Sequence, residues 1–272
     1  MNSNKASGLK KALKRAFSIY TGIVFFLVFI TLLPLFFLFV ITGKKRHGLI
    51  LTRHFTTIFY FLIGMKIVIE NKHLLDKKSN YIYCPNHFSF MDITIMTQMP
   101  IAAKFVGKES LSKIPGFGYY FRKFHIMVDR DSLRSRYKAF KESIEALQKG
   151  FSLTVFPEGG INVTHSKDLS EFKEGPFRMA LETGVHLVPI TIADNWRILP
   201  DDGNFMVNWR RKSRVIIHEP IDPSKYSLGT LKEFQAEVKS VIQTELDSRN
   251  DSRACIKIRK AKKVGSRKEL SV

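Results

Sequence analysis

Tyr81-Ile82-Tyr83-Cys84-Pro85-Asn86-His87-Phe88-Ser89-Phe90-Met91-Asp92 decides the fold of this chain. Its first four residues form an apolar run of β-formers, and Pro85 stops it, so the run reads as a short buried strand. The stretch from Asp92 to Met99 then reads as a short helix. A strand that delivers polar residues at its end and passes into a helix is typical of α/β sheets, whose ligand sites lie outside the strand ends.

Outward from this stretch the alternation repeats. Ile101 to Val106 is a second strand candidate. From Leu133, apolar residues recur at Tyr137, Phe140, Ile144 and Leu147, one face of a helix, and Gly150 ends it. Phe151 to Phe156 is a third strand, with Pro157-Glu158-Gly159-Gly160 as the loop at its end. A helix over Pro176 to Glu182 stops near Gly184, and strands follow at Val185 to Ile192 and Arg214 to His218. Thr230 and Glu233 have the spacing of a capping box for a final helix whose apolar face is Leu231, Phe234, Val238 and Val241. The fold class is α/β: a mixed central sheet with flanking helices, preceded by an N-terminal membrane helix or helical hairpin.

His87 and Asp92, five residues apart, are candidates for a base and its orienting carboxylate, or for a pair that caps a helix. A neutral imidazole takes a proton near neutral pH, and a carboxylate on its other nitrogen fixes the tautomer. Five residues turn a helix by about 500°, or about 140° net, so the two cannot share one helical face. His87 is therefore expected in the loop and Asp92 in the first helical turn. The helix N-terminus is expected to leave backbone N–H groups free to stabilise an oxyanion.

Together, Asn86-His87-Phe88-Ser89-Phe90-Met91-Asp92 and Phe156-Pro157-Glu158-Gly159 resemble the glycerolipid acyltransferase family, in particular the bacterial 1-acylglycerol-3-phosphate type. Two further blocks fit in the same order. One runs from Lys108-Glu109-Ser110-Leu111 through Pro115-Gly116-Phe117-Gly118 to Asp129-Arg130; the other is Val185 to Ile190. The resemblance implies His87 as general base and Asp92 as its partner. It implies substrate contacts at Glu158, Gly159, Arg130, Lys108 and Gly118, with no cofactor and no metal, only acyl-CoA or acyl-carrier protein as co-substrate. One departure stands out. Where the family's third block continues with threonine and arginine, this chain has Gly160 and Ile161. The phosphate-binding cation must then come from elsewhere, with Lys104, Lys108, Arg122, Lys123, Arg130 and Lys173 as candidates and Arg130 the foremost. Phe88, Phe90 and Phe117 are candidates for an acyl groove.

Composition agrees with a membrane enzyme. The 272 residues carry 44 Lys and Arg against 24 Asp and Glu, net +20, which calls for an anionic partner. Between Arg15 and Lys44 no charge occurs, and a helix of this length is about 42 Å long against a hydrocarbon core of about 30 Å. It is expected to span with tilt, to break at Pro34, or to return as a re-entrant hairpin; basic residues at both ends leave its orientation open. Ile58 to Met65 is too short to span alone. Cys84 and Cys255 provide no disulfide framework and read as free thiols. The tail from Arg253 to Lys268 is basic and reads as a solvated, disordered end. No RNA-binding signature accompanies the charge, so no nucleic-acid partner is expected.

The resulting expectation is three segments: residues 1–70 as a membrane-anchoring region, 71–250 as the catalytic domain and 251–272 as a basic tail. The catalytic domain is expected on the cytoplasmic face of the cell membrane, with anionic membrane lipid and a lysophospholipid acceptor as partners. The expected reaction is acyl transfer to 1-acyl-sn-glycerol-3-phosphate. Its rivals are transfer to another lysolipid such as a lyso-aminolipid, a non-catalytic basic binding protein tethered to the membrane, and a hydrolase using Ser89. The last lacks the Gly-x-Ser-x-Gly elbow such a nucleophile needs.

Overall fold

The computed structural model describes residues 2–114, 116–161, 168–201, 203–208 and 212–268, with side chains described within 8–249. Seven strands form one sheet in the order β1-β7-β6-β2-β5-β3-β4. They are β1 (Lys66–Glu70), β2 (Ile82–Pro85), β3 (Ala103–Lys108), β4 (Ile126–Val128), β5 (Ser152–Thr154), β6 (Leu187–Ile192) and β7 (Lys212–Ile217). Five run parallel from β6 to β4; β7 pairs antiparallel with β6 and carries β1 parallel to itself. The sheet is therefore mixed, as its sequence suggests. The segment 66–70, read as the end of the anchoring region, is an edge strand of this sheet.

Helices cover both faces. On one lie α1 (Asn2–Ile41), α2 (Lys45–Leu62), α3 (Met91–Met96) and α4 (Phe117–Phe124). On the other lie α5 (Leu133–Gln148), α6 (Gly175–Thr183) and α8 (Leu231–Lys268), while the single turn α7 (Asn195–Ile198) follows β6. Strands buried on both faces read as continuous apolar runs, and β2 and β6 are buried throughout. Alternation sorts their side chains: Tyr83 and Val188 face the first helical layer, whereas Ile82, Cys84 and Leu187 face the second.

The first two helices form a hairpin, joined through Thr42, Gly43 and Lys44. α1 continues through Pro34 without breaking. Phe29 and Phe36 on either side of the proline pack on Tyr120 with ring centroids 5.9 and 4.6 Å apart, which holds both halves on one line. Gly8–Ile41 is long and apolar enough to cross a membrane, and Ile23, Phe26, Leu27, Ile30, Phe37 and Ile41 are exposed along it. The apolar stretch Ile58 to Met65 ends α2, which docks on the sheet side of the hairpin. Hydroxyl pairs stitch it down: Thr52 to Tyr120 at 2.6 Å, Thr56 to Thr97 at 2.6 Å and Tyr60 to Thr94 at 2.5 Å. The basic tail at 251–272, together with Cys255, lies outside the described side chains.

Candidate active site

β2 lies between β6 and β5, and the site forms where it leaves the sheet. Asn86 fixes the exit: its amide nitrogen donates to the Ile192 carbonyl at 3.1 Å and its Oδ1 accepts from the Ile192 N–H at 2.7 Å. His87 follows in the loop, and Asp92 stands in the first turn of α3, as the five-residue offset requires. His87 Nδ1 lies 3.1 Å from Asp92 Oδ2. The same oxygen accepts the N–H groups of Phe88 and Ser89, both at 2.8 Å. Asp92 Oδ1 accepts from Asn195 Nδ2 at 2.9 Å, and Ser213 Oγ donates to Asn195 Oδ1 at 2.5 Å. A fully buried carboxylate is tolerable only with such partners, and this one has four.

With Nδ1–H donating to the carboxylate, the lone pair of the neutral ring sits on Nε2. Among the described residues Nε2 has no hydrogen-bond partner. The ring is held flat against Phe156, with centroids 3.9 Å apart and planes 20° apart. His87 is only 6% exposed, so its basic nitrogen faces a confined space.

The second motif clamps the first. Glu158 follows β5, and its Oε1 accepts the His87 N–H at 2.7 Å while Oε2 accepts the Ser170 N–H at 3.2 Å. Burial pushes its carboxyl above the usual range, and the amides of His87 and Ser170 oppose that shift. Both oxygens of Glu158 thus serve the backbone, although the residue reads in sequence as a substrate contact. Gly159 adopts a φ of 75°, and its carbonyl accepts from Arg130 Nη1. Burial draws the Arg130 guanidinium below its ordinary value. Lys173 donates its N–H to the Pro157 carbonyl at 2.8 Å, and its side chain runs beside Gly159. Lys108 ends β3 on the same edge of the sheet and is exposed. Gly118 serves a steric need, because a Cβ there would fall 2.0 Å from the Ser112 carbonyl oxygen.

Several sequence expectations change. Four backbone N–H groups near His87 are taken: that of His87 meets Glu158, those of Phe88 and Ser89 meet Asp92, and that of Met91 meets Ser89 Oγ. The acid at the second position of α3 has drawn them in. Ser89 Oγ donates to the Leu199 carbonyl at 2.7 Å, so it is a structural hydroxyl and no nucleophile. Cys84 is buried and its thiol is pushed far above its ordinary value by desolvation. Asn195 escaped sequence reading because it lies 103 residues from Asp92. Its one signal is a polar pair, Asp194-Asn195, just past a largely apolar strand.

An apolar cavity of about 410 Å³ is lined by Phe90 and Met91, which lie between His87 and Asp92 in the chain. Phe90, Met91 and Thr94 line its catalytic end, Phe25 and Phe59 its hairpin wall, and Tyr120 its floor. Phe90 and Phe117 line it as expected, whereas Phe88 belongs to the opposite core.

Comparison with known proteins agrees with this geometry. The family model described as Acyltransferase matches residues 66–193. The chloroplastic 1-acyl-sn-glycerol-3-phosphate acyltransferase LPAT1 of Arabidopsis thaliana is 37% identical over 164 residues, 59% of this chain and 45% of that one. The chain thus spans about half the length of the chloroplast relatives it matches. The 1-acyl-sn-glycerol-3-phosphate acyltransferase of Borreliella burgdorferi is 31% identical over 207 residues, 74% of this chain and 78% of that one. The crystal structure of the 1-acyl-sn-glycerophosphate acyltransferase PlsC from Thermotoga maritima has the same fold. It superposes with a TM-score of 0.72 at 23% identity, over 87% of this chain and 98% of that one. On the match to the Borreliella protein along most of both chains, this chain belongs to the glycerolipid acyltransferase family of the bacterial 1-acyl-sn-glycerol-3-phosphate type.

Proposed function

We propose that this chain is a membrane-bound O-acyltransferase. It moves a fatty acyl group from acyl-CoA or acyl-carrier protein to the free hydroxyl of 1-acyl-sn-glycerol-3-phosphate, giving phosphatidate. The observation that carries the reading is the His87–Asp92 pair, 3.1 Å apart, in a loop whose residues Phe90 and Met91 line an apolar cavity of about 410 Å³. His87 Nε2 takes the proton of the acceptor hydroxyl as its oxygen attacks the thioester carbonyl. The C–O bond forms, the C–S bond breaks, and the imidazolium returns the proton to the departing thiolate. Asp92 holds the ring and stabilises its cationic form, and Asn195 and Glu158 hold the loop. The acyl chain occupies the cavity, where each buried methylene contributes about 0.8 kcal/mol.

The acceptor phosphate falls to Arg130, with Lys108 and Lys173 beside it. Arg130 reaches the Gly159 turn from the loop after β4, and so brings a guanidinium to the turn where Gly160 and Ile161 supply none. α1 attaches the enzyme to the membrane, with the catalytic domain on the cytoplasmic face. Acyl transfer by the detergent-solubilised protein, from labelled acyl-CoA and acyl-carrier protein, tests the reading beside His87→Ala. Turnover is expected to fall more than about 100-fold in a folded variant; near-normal turnover would overturn the assignment. Gly160 and Ile161 favour a second reading, the same chemistry on a lyso-aminolipid. A panel of lysolipid acceptors decides between them, since a preference for headgroups without a phosphate monoester rejects the first.

A further inference from the structure

The tip of the hairpin carries cations that acyl transfer does not use. The first two residues of α2, Lys45 and Arg46, gather with Lys104 near the start of β3 and Lys149 just past α5. This is the edge where the parallel strands β3 and β5 begin, opposite the edge that holds His87 and Glu158. The ring of Phe151 joins two of them: Lys104 Nζ lies 4.7 Å and the Arg46 guanidinium carbon 5.0 Å from its centroid. Lys45 and Lys149 act on Lys104 as like charges.

Lys104 is the member that needs explaining. It is 9% exposed, and among the described residues its side chain has no hydrogen bond and no ion pair. Glu142 acts on it as an opposite charge but from beyond ion-pair distance, and drawing an ammonium partly out of water with only that and one aromatic face is costly. Burial and the two neighbouring lysines push the group down to about 8. The nearby carboxylates are engaged elsewhere: Glu142 with Lys138 at 3.9 Å and Glu145 with Lys149 at 3.6 Å. Arg46 donates once, to the Gly150 carbonyl at 3.1 Å. One to two turns before these cations, α1 ends in exposed Phe37, Leu38 and Ile41. A ligand that satisfies both features is an anionic amphiphile, since a free phosphate leaves the apolar end bare.

We propose that Lys45, Arg46, Lys104 and Lys149 bind the phosphate of an anionic phospholipid whose chains lie along the end of α1, at a site separate from the catalytic one. The test is the melting temperature of the full chain in detergent, titrated with dioctanoyl phosphatidylglycerol, dioctanoyl phosphatidylcholine or inorganic phosphate. Near saturation phosphatidylglycerol is expected to raise Tm by about 5–10 °C, and the other two far less. Lys104→Met removes a buried charge and is expected to fold and to lose at least half of the rise. Arg46→Gln, at an exposed position, is expected to lose a comparable part. Arg130→Gln keeps the full rise, which separates this site from the one proposed for the acceptor phosphate, and so does Lys10→Gln/Lys11→Gln, which separates it from diffuse attraction. An unchanged rise in both Lys104→Met and Arg46→Gln overturns the proposal. A full rise with inorganic phosphate alone overturns the lipid as occupant.

Discussion

Asn195 links the catalytic carboxylate to β7. It donates to Asp92 Oδ1 and is itself oriented by Ser213. Asn195→Ala is expected to lower kcat about 10–100-fold with the acceptor KM little changed, because the dyad loses its fixed geometry while the binding surfaces remain. The pH profile of kcat/KM should shift as well, since the carboxylate facing His87 loses one of four donors. A merely structural role would lower Tm and leave the profile of the folded enzyme in place. His125 makes a second case. It is buried at the cavity floor, accepts the Phe105 N–H at Nδ1 and meets Tyr120 at Nε2, and desolvation pushes it down to about 3. The folded state keeps it neutral, whereas the unfolded chain protonates it below about 6.5. Its contribution is therefore complete above about 6.5 and is lost as pH falls toward about 3. Between pH 7 and pH 5 the loss is up to about 2 kcal/mol, and chemical denaturation of His125→Gln should show a shallower decline.

Among the elements, α4 shows how packing overrides the reading of a motif. Gly118 sits in a block that resembles a substrate-binding one, yet its missing side chain makes room for the turn at Ser112. Gly118→Ala is expected to destabilise by about 3 kcal/mol, the upper part of the overpacking range, because a backbone carbonyl cannot yield as a side-chain tip can. Thermal melting with activity of the folded fraction checks it: a substrate contact would lower activity without lowering Tm. Strands β2, β3, β5, β6 and β7 were legible because each carries or adjoins a short apolar run, and Gly or Pro punctuates several of them. β1 and β4 were not. The first is an edge strand, Lys66-Ile67-Val68-Ile69-Glu70, that merges with the apolar end of α2, and the second is three residues long. On α8 the buried face passes through Ile242 rather than Val241.

At the scale of the molecule, the hairpin that is proposed to anchor the chain also walls the cavity. Phe25 and Phe59 close the cavity against Phe90 and Met91, so the membrane segment is expected to help measure the acyl chain. Gly22 lines the same wall, with open space where its Cβ would be. Gly22→Leu should fill part of the cavity and shift preference toward shorter acyl donors, by about 0.8 kcal/mol per displaced methylene. Competition between long and short labelled acyl-CoA measures the shift. An unchanged preference would place the chain elsewhere.

Local pattern alone determined the α/β class and the apolar N-terminal segment, and it made His87 and Asp92 candidates whose roles the resemblance of their flanks and of the later blocks implied. Each depends on residues within a few positions of one another: an apolar run and its proline stop, an uncharged stretch, a five-residue offset. Contacts between distant segments needed the tertiary structure. It turned Glu158 into a clamp on the catalytic loop, brought Arg130 to the Gly159 turn and placed Asn195 behind Asp92. It also carried α1 unbroken through Pro34 and gathered Lys104 and Arg46 on Phe151. The physical reason is that a strand or turn is encoded by its own side chains, whereas a buried carboxylate or cation takes its role from partners that only folding brings near.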